Sequence, residues 1–231
     1  QADVAAVLWP PALALAWDLS QPSSSRLRDA FYNKHVVELG AGTGLVGLCV
    51  ARLCRPLSVT LTDFSSAVHE VLSGLIGSLS QEEYAPLYVR SLDWSRLPED
   101  GVVPHAHPSS VVFVGATLVY EKGAAALLAT ALAVLLCLPN SHQEVLGCKG
   151  LKQYRKVPEA WIALDPAHTD VDVFPQAILD TKVLMLERIW RCEVSAMKMP
   201  FGSGTLVQHR SQTSVILYRI YPSHAVSTPS T

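Results

Sequence analysis

The sequence predicts an α/β fold: a doubly wound, seven-stranded, mostly parallel sheet with helices on both faces and an antiparallel C-terminal hairpin. Three observations predict it. Short apolar, β-branched runs alternate with longer stretches of helical spacing, which is the pattern of parallel strands joined by crossover helices. A glycine cluster, Gly40-Ala41-Gly42-Thr43-Gly44, joins the first such run to the helical stretch that follows it. Near the end, Leu206 to Gln208 and Ser214 to Ile220 read as two strands close enough to form a closing hairpin.

Element by element, Val4 to Leu19 is apolar and contains Trp9-Pro10-Pro11. Proline suits the first helical turn, so a helix is expected from Pro10 or Pro11, carrying Leu13, Leu15, Ala16 and Leu19. Gln21 to Ser25 is a polar surface break. His35 to Leu39 is the first strand and Leu45 to Leu53 the helix after the glycine turn. Leu57 to Thr62 is a second strand ending at Asp63, and Ser65 to Leu79 a helix with Val68, Val71, Leu72, Leu75, Ile76 and Leu79 on its apolar positions. Leu87 to Leu92 and Val111 to Val114 make two more strands. Lys122 to Leu136 is an Ala-rich helix, Ala160 to Leu164 a fifth strand, and Phe174 to Trp190 a helix.

Composition limits the function classes. At 231 residues and 49% hydrophobic content the chain supports one sizeable core, so residues 1–231 are read as a single domain. A net charge of -2 supplies no excess of cations for phosphates, and nucleic acid is not an expected partner. The apolar run Gly123 to Leu138 is shorter than the ~20 residues of a bilayer span, so a buried helix is expected and a membrane partner is not. Five scattered cysteines, Cys49, Cys54, Cys137, Cys148 and Cys192, form neither a disulfide framework nor a paired zinc motif, which points to a reducing compartment. No secretory signal pattern is visible, and a monomer is expected. His105 and His107, two apart in a Pro-bounded loop without a third ligand nearby, read as solvated rather than metal-binding. Lys149, Lys152, Arg155 and Lys156 read as a basic surface loop.

The glycine turn decides the ligand class. Dinucleotide sites space their glycines G-x-G-x-x-G and receive a pyrophosphate at the helix start. Here the spacing is G-x-G-x-G and Glu38 stands two positions before the first glycine. A carboxylate there disfavours a pyrophosphate and suits the ammonium and sulfonium of S-adenosyl-L-methionine. Asp63, about twenty residues further on, can accept both hydroxyls of a ribose. Residues 35–136 are therefore read as the cofactor-binding half, 137–231 as a substrate-side half and 1–34 as an N-terminal extension.

In these features the chain resembles the Rossmann-like class I methyltransferases, and within them the family-16 protein lysine methyltransferases. Four landmarks carry the resemblance: Leu8-Trp9-Pro10-Pro11-Ala12, Val37 to Leu45, Leu61-Thr62-Asp63 and Leu92-Asp93-Trp94. The resemblance covers residues 4–136 well and the remainder weakly. It implies that Trp9, Glu38, Gly40, Ala41, Gly42, Thr43, Gly44, Asp63, Asp93, Trp94 and Ala116 bind the cofactor, with Asp93 at the adenine amino group and Trp94 packed on the ring. The alternative for Asp93-Trp94 is a strand-end cap with a half-buried anchor, and for Trp9 a core tryptophan.

After the fourth strand the family carries Asp-x-x-Tyr, and this sequence reads Thr117-Leu118-Val119-Tyr120. The resemblance places Thr117 and Tyr120 at the catalytic position, with the acid that orients the substrate amine replaced by a hydroxyl. Glu121 beside them is either a substitute acid or a favourable charge at a helix start. Three readings follow: a methyltransferase acting on a lysine of a protein substrate, in the manner of the elongation factor 2 and chaperone methyltransferases; a methyltransferase-like binding module; and a small-molecule methyltransferase. The resemblance implies a cytoplasmic or nuclear protein whose partner is a translation factor or a chaperone.

Overall fold

A computed structural model of the chain describes residues 7–21, 25–80, 82–97, 110–137, 158–193 and 213–223. The expected strand Leu206 to Gln208, the pair His105 and His107 and the basic set Lys149 to Lys156 lie outside the described residues.

Helix α1 (Pro10–Ser20) starts with two prolines behind Trp9, which is extended and whose carbonyl accepts from the Ala12 and Leu13 amides. Prolines cost nothing here because the first helical amides have no intrahelical partner. The polar break is followed by a short helix, α2 (Ser25–Phe31), that the sequence reading did not anticipate. Leu27 and Phe31 bury one face of it, and Arg28 donates to the Leu19 carbonyl at the C-terminal end of α1.

The alternation then proceeds as expected to the fifth strand, with β1 (His35–Leu39), α3 (Leu45–Leu53), β2 (Ser58–Asp63), α4 (Ser66–Ser78), β3 (Leu87–Ser91), β4 (Val111–Ala116), α5 (Ala124–Cys137) and β5 (Glu159–Leu164); α6 (Phe174–Asp180), β6 (Leu184–Glu193) and β7 (Ser214–Pro222) follow. One seven-stranded sheet runs in the order β3-β2-β1-β4-β5-β7-β6. Strands β1 to β5 pair in parallel, and β7 is antiparallel to both β5 and β6.

The C-terminal hairpin partner is a correction. The span Phe174 to Trp190 is not one helix: α6 stops at Asp180, and β6 begins at Leu184. Lys182 takes a left-handed φ of 60°, and the Thr181 hydroxyl accepts from the Leu184 amide at 3.2 Å, which turns the chain out of the helix. Strand β6 also carries an irregularity between Arg188 and Trp190. Before it, Leu186 packs on one face of the sheet; after it, Trp190 and Cys192 pack on the other. One extra residue shifts a period of two and leaves a spacing that resembles a helix.

Alternation along the strands fills two cores. Val37, Leu39, Phe113, Ile162 and Leu164 meet Leu128 and Leu132 of α5 and Phe174 and Ile178 of α6. Val36, Val59, Leu61, Val112, Val114 and Trp161 meet Leu15 and Leu19 of α1, Phe31, Val46, Val50 and Leu72. Arg219 on β7 bonds Glu159 on β5 (Nε···Oε2 2.7 Å) and approaches Glu187 on β6 (3.7 Å), stitching the antiparallel strand to both neighbours. Among the described residues no helix is long and apolar enough to cross a membrane.

Candidate functional site

Strand order reverses between β1 and β4, because β1 continues to β2 on one side while the chain returns to β4 on the other. Ligands of doubly wound sheets bind outside the carboxyl ends of the strands at such a point. Every candidate residue of the sequence reading that follows a strand stands at this edge.

The Gly40–Gly44 loop leaves β1 there. Gly40 and Gly44 have φ of 57° and 74°, the left-handed region that side chains with a Cβ avoid, and Gly44 caps α3 in that state. Between them Ala41 is buried and donates to the Thr62 carbonyl (2.8 Å), while the Gly44 amide closes the turn on the Ala41 carbonyl (2.7 Å). Thr43, at the tip, is half-buried. Asp63, the last residue of β2, accepts from the Gly42 amide (Oδ2, 3.1 Å) and the Ser65 amide (Oδ1, 3.0 Å). These bonds set the loop and the carboxylate in one piece. An ionised carboxylate offers about four acceptor directions, so Asp63 retains capacity for two hydroxyls.

Glu38 sits differently from the picture of a charge facing a ligand. Its side chain is 3% exposed and Oε2 accepts from the Gly47 amide of α3 at 2.9 Å. Burial pushes its pKa from 4.5 up to about 8, against the pull of the Gly47 bond and with a smaller push from Asp63. At neutral pH the group is mostly protonated, so its part is to anchor the loop to α3 rather than to present a full negative charge.

Asp93 and Trp94 follow β3. Trp94 is half-buried against the core, and its ring lies about 4 Å from the point where a Cβ on Gly40 would stand. Asp93 caps the short turn Trp94–Arg96, accepting from Ser95 Oγ (2.6 Å) and the Ser95 amide (2.9 Å). Those donors hold its carboxyl below the usual range, so it is an exposed, ionised acceptor. The cap and the anchor are both present.

At the end of β4, half-buried Ala116 pairs with Ala163 of β5 and Thr117 turns left-handed, φ 58°. For a β-branched residue that conformation is an outlier costing about 1–3 kcal/mol. Its amide donates to the Ala163 carbonyl at 3.0 Å, and its buried hydroxyl has no partner among the described residues. Tyr120 is 44% exposed; partial burial raises its pKa, helped by Glu121 and by Asp63, which places the phenol in the field of the Asp63 carboxylate. Glu121 is exposed and precedes α5. At the start of α1, the Trp9 ring stands edge-on to His168 at 5.4 Å.

A family model described as lysine methyltransferase matches residues 1–158. The chain belongs to the lysine methyltransferase family. This family is S-adenosylmethionine-dependent. Over 226 residues this methyltransferase-family chain is 24% identical to mouse protein-lysine N-methyltransferase EEF2KMT, covering 93% of this chain and 57% of the relative. To Xenopus tropicalis protein N-lysine methyltransferase METTL21A it is 34% identical over 100 residues, 43% of each. The chain thus spans about half the length of these curated relatives. In fold it matches Synechocystis magnesium protoporphyrin IX methyltransferase with a TM-score of 0.51 at 10% identity, covering 92% of this chain and 84% of that one.

Two features of the methyltransferase edge were not singled out from sequence. Phe64 follows Asp63 and is 60% exposed, an aromatic face with no burial to explain it. Asp165 follows β5 with 7% exposure, and its Oδ2 lies 3.9 Å from His168 Nε2. Only an unusual aromatic after a strand-end acid signals the first; the second has no local motif.

Proposed function

We propose that the chain binds S-adenosylmethionine at the carboxyl edge of β1 to β4 and transfers its methyl group to a lysine of a protein substrate. The observation that carries this is the loop itself: left-handed glycines pinned by Asp63 from one side and lying against Trp94 on the other. A loop without side chains admits the amino-acid portion of the cofactor, Asp63 suits the ribose, and Trp94 with Phe64 suits the adenine. When bound, the cofactor supplies an electrophilic methyl on a positively charged sulfur.

The chain's own residues then hold the acceptor amine in line with that methyl, and positioning of this kind supplies much of the acceleration. Tyr120, exposed and beside the cofactor-side acid, lines the approach. The names of the relatives support a protein lysine as acceptor, and a translation factor or chaperone in the cytoplasm or nucleus is the class of partner we propose, met by a monomer. Calorimetry with S-adenosylmethionine and its demethylated product tests the first half; no heat at high concentration removes it. Labelled methyl transfer into cell extract, followed by identification of methyl-lysine, tests the second.

Thr117 favours a second reading, a module that keeps the cofactor and the fold without transfer. Cofactor heat with no labelled product at any protein is the result that selects it.

A further inference from the structure

We propose that Asp165, His168 and Trp9 form the subsite that receives the substrate's alkylammonium group, which gives up a proton to solvent before its amine attacks the methyl, with Asp165 supplying the carboxylate absent at Thr117. The proposal rests on the lysine-transfer reading above. Four observations lead to it.

Asp165 directly follows β5 and Thr117 directly follows β4, adjacent parallel strands in register at Ala116 and Ala163. The bond from the Thr117 amide to the Ala163 carbonyl locks the two strand ends together. The acid is thus one strand over from where Asp-x-x-Tyr would carry it, on the same edge.

Asp165 is also incompletely satisfied. Oδ1 accepts from the Ala167 amide at 2.9 Å, but Oδ2 takes no hydrogen bond among the described residues, and His168 Nε2 at 3.9 Å is beyond bonding range. That Oδ2 oxygen reaches solvent at the strand edge, so a cationic donor has access to it.

Around it stand the other groups that bind alkylammonium. Trp9 meets His168 edge-on at 5.4 Å with ring planes at 70°, and the His168 imidazole in turn stands 3.9 Å from the carboxylate. Aromatic faces and carboxylates together bind ammonium ions in a partly desolvated site.

Finally, the buried Thr117 hydroxyl has no partner among the described residues, although its backbone is held in an unfavourable conformation. That oxygen is sealed from solvent, so it does not receive the ammonium and leaves the charge to Asp165. The segment after β4 is latched to the segment after β5 by the Gly123 amide on the Asp170 carboxylate, which holds both walls in place.

The test is titration of n-butylammonium into the protein, with and without S-adenosylhomocysteine, following the ring resonances of Trp9 and His168. Saturable shifts at both rings are expected, weakened at least about 10-fold in Asp165→Asn with S-adenosylhomocysteine affinity unchanged. Absence of saturable shifts in the wild type, or equal affinity in Asp165→Asn, overturns the subsite. Should Asp165→Asn fail to fold, His168→Ala carries the same test, with a several-fold loss expected and unchanged affinity overturning it. Butylammonium binding that depends on Asp165, together with no methyl-lysine in labelled extract, overturns the lysine-transfer reading and leaves the subsite standing. Undiminished methyl-lysine formation by Asp165→Asn overturns the subsite and leaves the reading standing.

Discussion

The Glu38 carboxyl and the Gly47 amide stand 2.9 Å apart, and this bond ties the end of β1 to the third residue of α3 beneath the glycine loop. Because burial raises the carboxyl to about 8, the folded chain holds a proton that the unfolded chain has already lost above 4.5. In that window the native state binds more protons, so this group's contribution falls as pH rises from 4.5 to about 8 and levels off above it. Glu38→Gln keeps an acceptor for Gly47 without the ionisation. Urea unfolding should show the wild type losing a few kcal/mol relative to Glu38→Gln across this range. Parallel pH profiles for the two proteins would contradict it.

Gly47 predicts a purely steric effect. A Cβ there would run into the Leu61 side chain and Glu38 Oε2, while the backbone is ordinary helix. Gly47→Ala should lower stability by about 1–3 kcal/mol in thermal or urea unfolding. Gly74 and Gly77 in α4 are the control: a Cβ at either meets nothing within 4 Å, so alanine there should add about 0.5–1 kcal/mol. The same sign at all three positions would mean that packing under the loop is not what excludes a side chain at Gly47.

Asp63 joins the loop to β2 and faces the expected ribose. Asp63→Ala frees the Gly42 and Ser65 amides and removes the acceptor, so calorimetric affinity for S-adenosylmethionine should fall at least about 10-fold. Unchanged affinity would remove the ribose assignment.

At Thr117 the two substitutions of interest pull apart. Thr117→Gly removes the left-handed strain and the orphaned hydroxyl, and should raise stability by about 1 kcal/mol or more. Thr117→Asp places the family's acid in a residue that tolerates this conformation better, and with Asp165 already supplying a carboxylate it should leave labelled transfer to lysine within about 2-fold at constant cofactor affinity. A several-fold rise would show that the missing acid limits the chemistry and that Asp165 does not replace it.

Much of this was readable from the chain, for reasons that differ by element. The glycine loop could be placed because left-handed turns admit few residue types, and the buried strands because Val36, Val59 and Val112 leave little alternative to a covered sheet. Asp63 and Asp93-Trp94 could be placed because each follows a strand closely. Strand β6 was misread because its irregularity near Ile189 moves Trp190 and Cys192 to the opposite face from Leu186, so no single period of two runs through it. Helix α2 escaped because it is short and two of its first four residues are arginines; only Leu27 and Phe31 mark its buried face. The burial of Glu38 and the pairing of Asp165, His168 and Trp9 depend on tertiary packing that brings distant segments together, which local spacing does not encode.

Strand β7, last of the described strands in sequence, lies between β5 and β6. On a ribosome, β5 and β6 therefore wait with unpaired edges until Ser214–Pro222 emerges, because neither pairs with the other. The parallel half with the cofactor loop can assemble earlier, and the edge beside Asp165 is completed last. Any chaperone that shields exposed strand edges has its longest opportunity in that interval.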